Sequence, residues 1–154
     1  MRRAYSIHEM RVYLDRRTEE KDLTSQVIAR LREQKYLDDD RYALDYARQH
    51  AQLRKQGRFR IAGELRTRGV PDRHIEAALD AVFAETDEAA SVRTRLKRRM
   101  THIRGPLDQR KIASLYGSLL RAGFSSDTIR AELRKLTSLP VPQVAEELPE
   151  EMKD

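Results

Sequence analysis

Two stretches of the chain decide its fold: Tyr36-Leu-Asp-Asp-Asp-Arg-Tyr-Ala43 and, further along, Gly57-Arg-Phe-Arg-Ile-Ala-Gly-Glu-Leu-Arg-Thr-Arg-Gly-Val-Pro-Asp-Arg-His-Ile-Glu-Ala-Ala-Leu79. In the first, three consecutive aspartates predict the start of a helix, because negative charge there complements the helix dipole and an Asp side chain can cap free amides. In the second, Gly57 and Gly69 are each placed to end a helix in the left-handed conformation. Together they predict a helix-turn-helix unit.

The unit recurs at an offset of 54 residues. One copy, in residues 65–79, is Leu-(x)3-Gly-Val-(x)4-Ile-(x)3-Leu, and the other, in residues 119–133, is Leu-(x)3-Gly-Phe-(x)4-Ile-(x)3-Leu. In each copy a helix ends on Gly, the next residue packs as an apolar staple, and a short helix follows with Ile and Leu inside. The match predicts a tandem repeat, although a three-helix unit with a tight Gly turn is also typical of DNA-binding helix-turn-helix proteins.

Apolar periodicity predicts the helices and therefore the architecture. The expected helices are 7–17, 24–35, 39–56, 58–68, 71–84, 87–103, 108–122 and a last one that Ser125 or Ser126 caps. Leu53 is expected in the buried stripe of the third helix, with Tyr42 and Tyr46. We therefore predict an all-α fold of elongated, tandem three-helix (helix-turn-helix-like) repeats. The expected repeats are a partial first one with two helices (1–37), a second (38–85) and a third (86–136).

Composition limits the class of protein. The chain has 154 residues, of which 36% are charged and 6% aromatic, with no Trp and no Cys. So little apolar bulk suits thin modules rather than one deep core. The absence of Cys excludes disulfides, thiolate zinc sites and cysteine nucleophiles. We expect no signal peptide and no membrane span of roughly 18 apolar residues, so the expected compartment is the cytoplasm.

Charge is unevenly spread along the chain. The formal net charge is +6, but the residues from Pro140 onward carry −4, which leaves +10 on the preceding 139 residues. Residues 137–154 are rich in Pro and Glu and are predicted to form a disordered acidic tail. The basic body predicts a polyanionic partner or an acidic protein surface.

The sequence offers no catalytic or metal-binding motif. The three aspartates project in different directions from a helix start and lack the ligand spacing of a calcium loop. No phosphate-binding glycine motif occurs, so the chain is not expected to bind ATP itself. We therefore expect no catalytic residue, no metal and no cofactor. The histidines, which show no paired ligand spacing, are His8, His50, His74 and His102.

Two motifs resemble one family, RecX. The segment Lys35-Tyr-Leu-Asp-Asp-Asp-Arg-Tyr-Ala43 is similar to the family's junction Gly-Tyr-Leu-Asp-Asp followed by Arg-Phe-Ala, with Lys35 in the place of Gly. The second resembles the family's pattern Arg-Ile-x-x-Glu-Leu-x-x-Lys/Arg-Gly. Its matching residues here are Arg60, Ile61, Glu64, Leu65, Arg68 and Gly69. The resemblance covers about residues 6–136.

The resemblance implies a regulator of the RecA recombinase rather than an enzyme. Members of the family look like tandem three-helix repeats that lie in the groove of the RecA–DNA filament. They thereby inhibit its ATPase, strand-exchange and co-protease functions. The implied processes are DNA repair, homologous recombination and the SOS response.

Basic residues around the predicted turns are the candidates for contact with a partner. An arginine near a helix C-terminus also complements the helix dipole, which is worth about 0.3–1 kcal/mol, but repeats can align their turns on one face. The planar guanidinium suits forked hydrogen bonds to carboxylate and phosphate. The candidate basic face consists of Arg54, Lys55, Arg58, Arg60, Arg66, Arg68, Arg95, Arg98, Arg99, Arg110 and Lys111.

We therefore expect a monomer that binds the RecA filament, contacts DNA weakly and non-specifically, and does not engage a membrane. Two alternatives stay open. One is a direct DNA-binding helix-turn-helix protein, transcriptional or architectural, and the other is a repeat scaffold for a different acidic protein. The mixed charge of Asp72, Arg73 and Glu76 on one short helix disfavours insertion into a DNA groove.

Overall fold

The structure, a computed structural model, describes residues 3–143. Its helices are α1 (Ile7–Asp15), α2 (Lys21–Glu33), α3 (Asp39–Gln52), α4 (Arg58–Thr67), α5 (Asp72–Ala84), α6 (Glu88–Met100), α7 (Gln109–Arg121) and α8 (Ser126–Leu136). The predicted all-α tandem helical fold is confirmed, with α2 beginning three residues earlier than expected. In the part of the chain that the structure describes, no helix is long and apolar enough to cross a membrane.

Side-chain caps fix several helix starts. At α1, Oγ of Ser6 accepts the amide of Glu9 at 3.1 Å, while the Ser6 amide donates to the Glu9 carboxylate at 3.1 Å. This reciprocal pair is the capping box that the sequence predicts. At α3, Oδ1 of Asp38 accepts the amides of the second and third residues after it, at 3.1 and 3.3 Å. Ser125 is the N-cap of α8.

Two glycines end helices as predicted. Gly69 has a φ of 73° after α4, and Gly123 has a φ of 94° after α7. This left-handed conformation is easy only for a residue without a Cβ. Val70 and Phe124, the residues that follow them, are buried. The staple predicted at the turn is therefore present in both copies.

The prediction was wrong at the end of α3. The helix ends at Gln52 rather than at residue 56, and Leu53, expected in its buried stripe, is 73% exposed. Lys55, with a φ of 50°, takes the left-handed conformation that was predicted for Gly57. Gly57 is instead needed for space, because a Cβ on it would lie 2.2 Å from the carbonyl oxygen of Gly123. The chain leaves the helix early to make this close approach, which apolar periodicity does not encode.

The chain divides into two compact units. The first comprises residues 3–49 and 62–84 of the described range, and the second comprises 50–61 and 85–143. Helices α3 and α4 therefore each contribute to both units. The buried apolar residues of the first unit are Ile28, Leu37, Ala43, Ala47, Ala62, Leu65, Val70, Ile75, Ala78, Leu79 and Val82. The division into one partial and two full repeats stays a prediction.

In the second unit, helices α6, α7 and α8 share a continuous core. Its members are Val92, Leu96, Ile112, Leu115, Tyr116, Leu119, Ala122, Phe124, Ile129, Leu133 and Val141. Val141 is 7% exposed and comes from the segment predicted to be a disordered tail, 137–154. Close by, Arg130 Nη1 donates to the carbonyl of Gln143 at 2.6 Å. The rest of that predicted tail, residues 144–154, lies outside the described residues.

Candidate functional site

The turn between α3 and α4, residues 53–57, is tightly held within the second unit. The amide of Gln56 donates to the carbonyl of His50 at 3.1 Å. Their side chains also meet, with Nδ1 of His50 and Oε1 of Gln56 2.7 Å apart. Because an amide oxygen can only accept, Nδ1 is the donor. These two contacts hold the turn against the end of α3.

Arg95 on α6 braces this turn from inside the unit. Its guanidinium donates to the carbonyl of Lys55 at 2.6 Å and to the carbonyl of Arg54 at 2.9 Å. Burial lowers the pKa of Arg95, and the positive charges of Arg60 and Arg98 lower it further. The sequence analysis counted Arg95 in the basic face and did not predict this structural contact.

These contacts bring five of the predicted residues together in a basic cluster. We define the basic cluster as Arg54, Lys55, Arg60, Arg95 and Arg98. Two large apolar side chains are exposed here, Leu53 in the turn at 73% and Phe59 at the start of α4 at 66%. Exposed apolar side chains next to arginines are typical of surfaces that bind proteins.

Net positive charge is concentrated in the second unit. Its described residues contain sixteen Lys and Arg against six Asp and Glu, a net +10. The described residues of the first unit contain thirteen against fourteen, a net −1. Nine of the eleven predicted basic-face residues lie in the second unit, and only Arg66 and Arg68 lie in the first. An acidic partner is therefore attracted to the second unit and not to the first.

Several predicted residues carry structural contacts of their own. Lys111 Nζ donates to the carbonyls of Arg104 and Pro106, both at 2.8 Å, and so closes the loop before α7. Arg66 Nε pairs with Asp72 at 2.9 Å. Arg98 and Arg99, in contrast, are exposed on α6.

Arg68 works inside the first unit. Its Nη1 lies 3.2 Å from the Glu9 carboxylate, and its guanidinium lies 5.0 Å from the ring centre of Tyr46. Its carbonyl accepts the hydroxyl of Ser6 at 2.5 Å. Arg68 therefore joins α1, α3 and the end of α4, which is a structural role within the first unit.

The aspartate motif also has a structural role beyond capping. Oδ1 of Asp39, a buried residue, accepts the amide of Ile7 at 2.9 Å. The start of α3 is thus tied to the start of α1. Asp40 Oδ1 lies 3.6 Å from Nδ1 of His74 on α5. Each of the three carboxylates has a different partner within the protein. These contacts account for the three aspartates without a bound ligand.

Fold and surface together define an all-helical protein whose second unit is cationic. The family model described as "RecX, second three-helix domain" matches residues 38–79. This range contains both the aspartate motif and the turn at Gly69.

Curated proteins named Regulatory protein RecX match most of the chain. The one from Prosthecochloris aestuarii is 31% identical over 134 residues, covering 87% of this chain and 85% of its own length. The one from Halorhodospira halophila is 35% identical over 130 residues, covering 84% and 78%. The crystal structure of RecX from Lactobacillus salivarius superposes with a TM-score of 0.71 at 25% identity, covering 87% of this chain and 86% of that chain. The chain belongs to the RecX family of regulatory proteins, as the resemblance predicts.

Proposed function

We propose that this protein binds the filament of the RecA recombinase and inhibits its ATPase, strand-exchange and co-protease activities. It would act in the cytoplasm as a monomer, without a catalytic residue or cofactor of its own, and so modulate DNA repair, recombination and the SOS response. Membership of a family named for regulation supports a regulatory role. The motifs at residues 35–43 and 60–69, through their resemblance to RecX, supply the identity of the partner.

The charge difference between the two units is the observation that carries the proposal. A unit with sixteen basic and six acidic residues attracts carboxylates and phosphates, and the other unit does not. Clustered charge of one sign raises the local concentration of an oppositely charged partner and speeds its association. A recombinase filament on DNA presents both kinds of anion to such a surface.

The exposed apolar side chains in the α3–α4 turn and at the start of α4 favour a protein partner over bare DNA. Phosphate contacts need only cations, whereas Leu53 and Phe59 gain by burial in an apolar pocket. Burying one large apolar side chain contributes about 1.5–3 kcal/mol. We propose that these two residues enter the partner's surface while Arg54 and Arg98 pair with carboxylates around them.

A weak, non-specific contact with DNA is the second part of the proposal. On α5, the carboxylate of Asp72 already pairs with Arg66, and Glu76 lies 3.9 Å from the same guanidinium. A helix that carries such carboxylates is poorly suited to read base edges. Phosphate contacts from the second unit would add affinity without sequence preference. Held by filament protein and DNA together, the molecule would oppose the conformational cycle that the filament needs.

The decisive experiment measures DNA-dependent ATP hydrolysis by RecA with increasing amounts of this protein. Inhibition is expected well below one molecule per RecA subunit. The variant Arg98→Glu/Arg99→Glu should inhibit less, because two exposed cations become anions. The matched control Arg16→Glu/Arg30→Glu makes the same charge change in the first unit and should inhibit normally. If stoichiometric protein leaves both hydrolysis and strand exchange untouched, the proposed function is wrong.

A further inference from the structure

A groove between α6 and α8 has an apolar floor and a cationic rim. Leu96, Met100 and Leu136 line the floor, and Leu136 is 47% exposed. The groove encloses about 610 Å³, room for two large side chains of a peptide. It lies wholly within the second unit and contains none of the basic cluster.

The rim is positively charged. It carries Arg93, Lys97 and Lys135 together with the carboxylate of Glu132. Glu132 is almost fully buried and bridges two of these cations, with Arg93 Nη1 at 3.1 Å and Lys135 Nζ at 2.9 Å. Arg93 also lies 3.8 Å from the carboxylate of Asp87, so two carboxylates stand against three cations and the rim keeps a net charge of +1. An occupant therefore needs apolar side chains for the floor and carboxylates for the rim.

We propose that residues 144–154 of this chain, Val-Ala-Glu-Glu-Leu-Pro-Glu-Glu-Met-Lys-Asp, dock in the groove. Leu148 and Met152 supply apolar side chains four residues apart for the floor. The segment's five acidic residues, Glu146, Glu147, Glu150, Glu151 and Asp154, lie on both sides of these two residues. The segment thus has the pattern of charge and apolar bulk that the groove requires.

The segment starts close enough to reach the groove. Arg130 on α8 holds the carbonyl of Gln143, the last described residue, at 2.6 Å. Leu136 follows Arg130 by six residues, which is about 9 Å along a helix. An extended chain covers roughly 16 Å between Gln143 and Leu148 and roughly 30 Å between Gln143 and Met152. The axial distance and the width of the helix, about 10 Å, are both within that range.

Attachment makes even a weak contact effective. A segment tethered by a few residues has an effective concentration in the millimolar range. The docked segment brings a net −4 to a unit that carries +10 and places its carboxylates beside α6. The docked segment would then compete with acidic partners for the second unit. Only partners that bind the second unit more tightly than the segment does would displace it.

Disulfide cross-linking of the whole chain tests the docking without any partner, so its result is independent of the proposed function. The chain has no natural cysteine, and pairs can be introduced cleanly. The test pair is Lys97→Cys with Met152→Cys, on the rim and in the segment. The control pair is Asp127→Cys with Met152→Cys. Asp127 is 91% exposed and pairs with Arg130 at 2.7 Å, so it lies beside the anchor of the segment.

Under a mild oxidant, we expect the test pair to close within one molecule at least about fivefold faster than the control pair, reflecting a locally raised effective concentration. Adding Leu148→Ser to the test pair should remove most of the difference while leaving every carboxylate in place. Equal rates for the two pairs, or a faster control pair, would overturn the proposal. Cross-links that form only between molecules, at a rate that rises with protein concentration, would overturn it in favour of a second copy as the occupant.

Discussion

Gly57 and Gly123 meet backbone to backbone in the second unit. The amide of Gly57 donates to the carbonyl of Ala122 at 2.8 Å, and the amide of Phe59 donates to the carbonyl of Gly123 at 3.1 Å. A Cβ on Gly57 would lie 2.2 Å from the Gly123 oxygen, and the obstructing atoms belong to the backbone. The turn that presents the basic cluster is therefore seated on the turn between α7 and α8.

We predict that Gly57→Ala destabilises the protein, because backbone atoms cannot move aside as a flexible side chain can. Overpacking of this kind costs about 1–3 kcal/mol. The matched control is Gly63→Ala in α4, where an added Cβ has no neighbour within 4 Å. That change should stabilise the helix by about 0.5–1 kcal/mol. Thermal unfolding followed by circular dichroism compares the two, and equal midpoints would contradict the close approach.

Lys35→Gly should stabilise the protein. Lys35 has a φ of 61°, and the amide of Tyr36 donates back to the carbonyl of Leu31 at 2.9 Å, which ends α2 in a left-handed turn. That conformation costs a residue with a Cβ about 1–2 kcal/mol, and the greater freedom of Gly in the unfolded chain returns part of it. The expected net gain in the free energy of unfolding is about 0.5–1 kcal/mol. Gln34→Gly, at a φ of −81°, should lower it and serves as the control.

Shortening the C-terminus should show where the core of the second unit ends. A chain that stops at Leu139 loses Val141, a member of that core, and should unfold at a lower temperature. Loss of a buried aliphatic side chain costs on the order of 1–3 kcal/mol. A chain that stops at Gln143 keeps the whole core and should unfold close to the full-length midpoint. Identical unfolding of the two shortened chains would show that Val141 contributes nothing.

Arg95 and Arg98 lie three residues apart on α6 and should respond differently to Met substitution. Arg95→Met leaves the carbonyls of Arg54 and Lys55 without their donor, so the unfolding midpoint should fall. Loss of a hydrogen bond from a charged donor costs about 1.5–3 kcal/mol. Arg98→Met should leave the midpoint unchanged and weaken RecA inhibition instead. If Arg95→Met is as stable as Arg98→Met, the bracing role is wrong.

Selection of bound sequences from a random DNA pool separates the proposed function from a direct DNA reader. We expect weak, salt-sensitive binding without sequence enrichment, because phosphate contacts carry no sequence information. A sequence-specific reader binds its site at least roughly 10³-fold more tightly than other DNA. A strongly enriched palindrome would therefore favour the helix-turn-helix alternative.

Local rules were sufficient for most of the fold. The capping box at Ser6 and the left-handed turns at Gly69 and Gly123 follow from short-range chemistry, and all are present. The end of α3 was misplaced because the backbone of Gly57 packs against that of Gly123, a residue far along the chain. Sequence periodicity describes one helix at a time and cannot include such a distant constraint.

The candidate surface was only partly predictable. Composition indicated a basic body, and residue type selected the arginines, but neither distinguishes an inward guanidinium from an outward one. Arg68 and Arg95 point to carboxylate, ring and carbonyl groups that only the tertiary structure brings near. The exposure of Leu53 was missed for the same reason, since apolar periodicity assigned it to the buried stripe of α3.

Residues 50–61 pack with residues 85–143, which the ribosome makes later. The second unit therefore cannot fold until its later residues have been made. At about 5–20 residues per second, Gly57 is added to the chain roughly 3–13 s before Gly123. During that interval the amides of Gly57 and Phe59, which lie close in the chain to the exposed residue Leu53, lack their acceptors, the carbonyls of Ala122 and Gly123. The turn between α3 and α4 therefore gains the backbone hydrogen bonds that hold it only after the end of α7 has been made, and the second unit completes its fold late in synthesis.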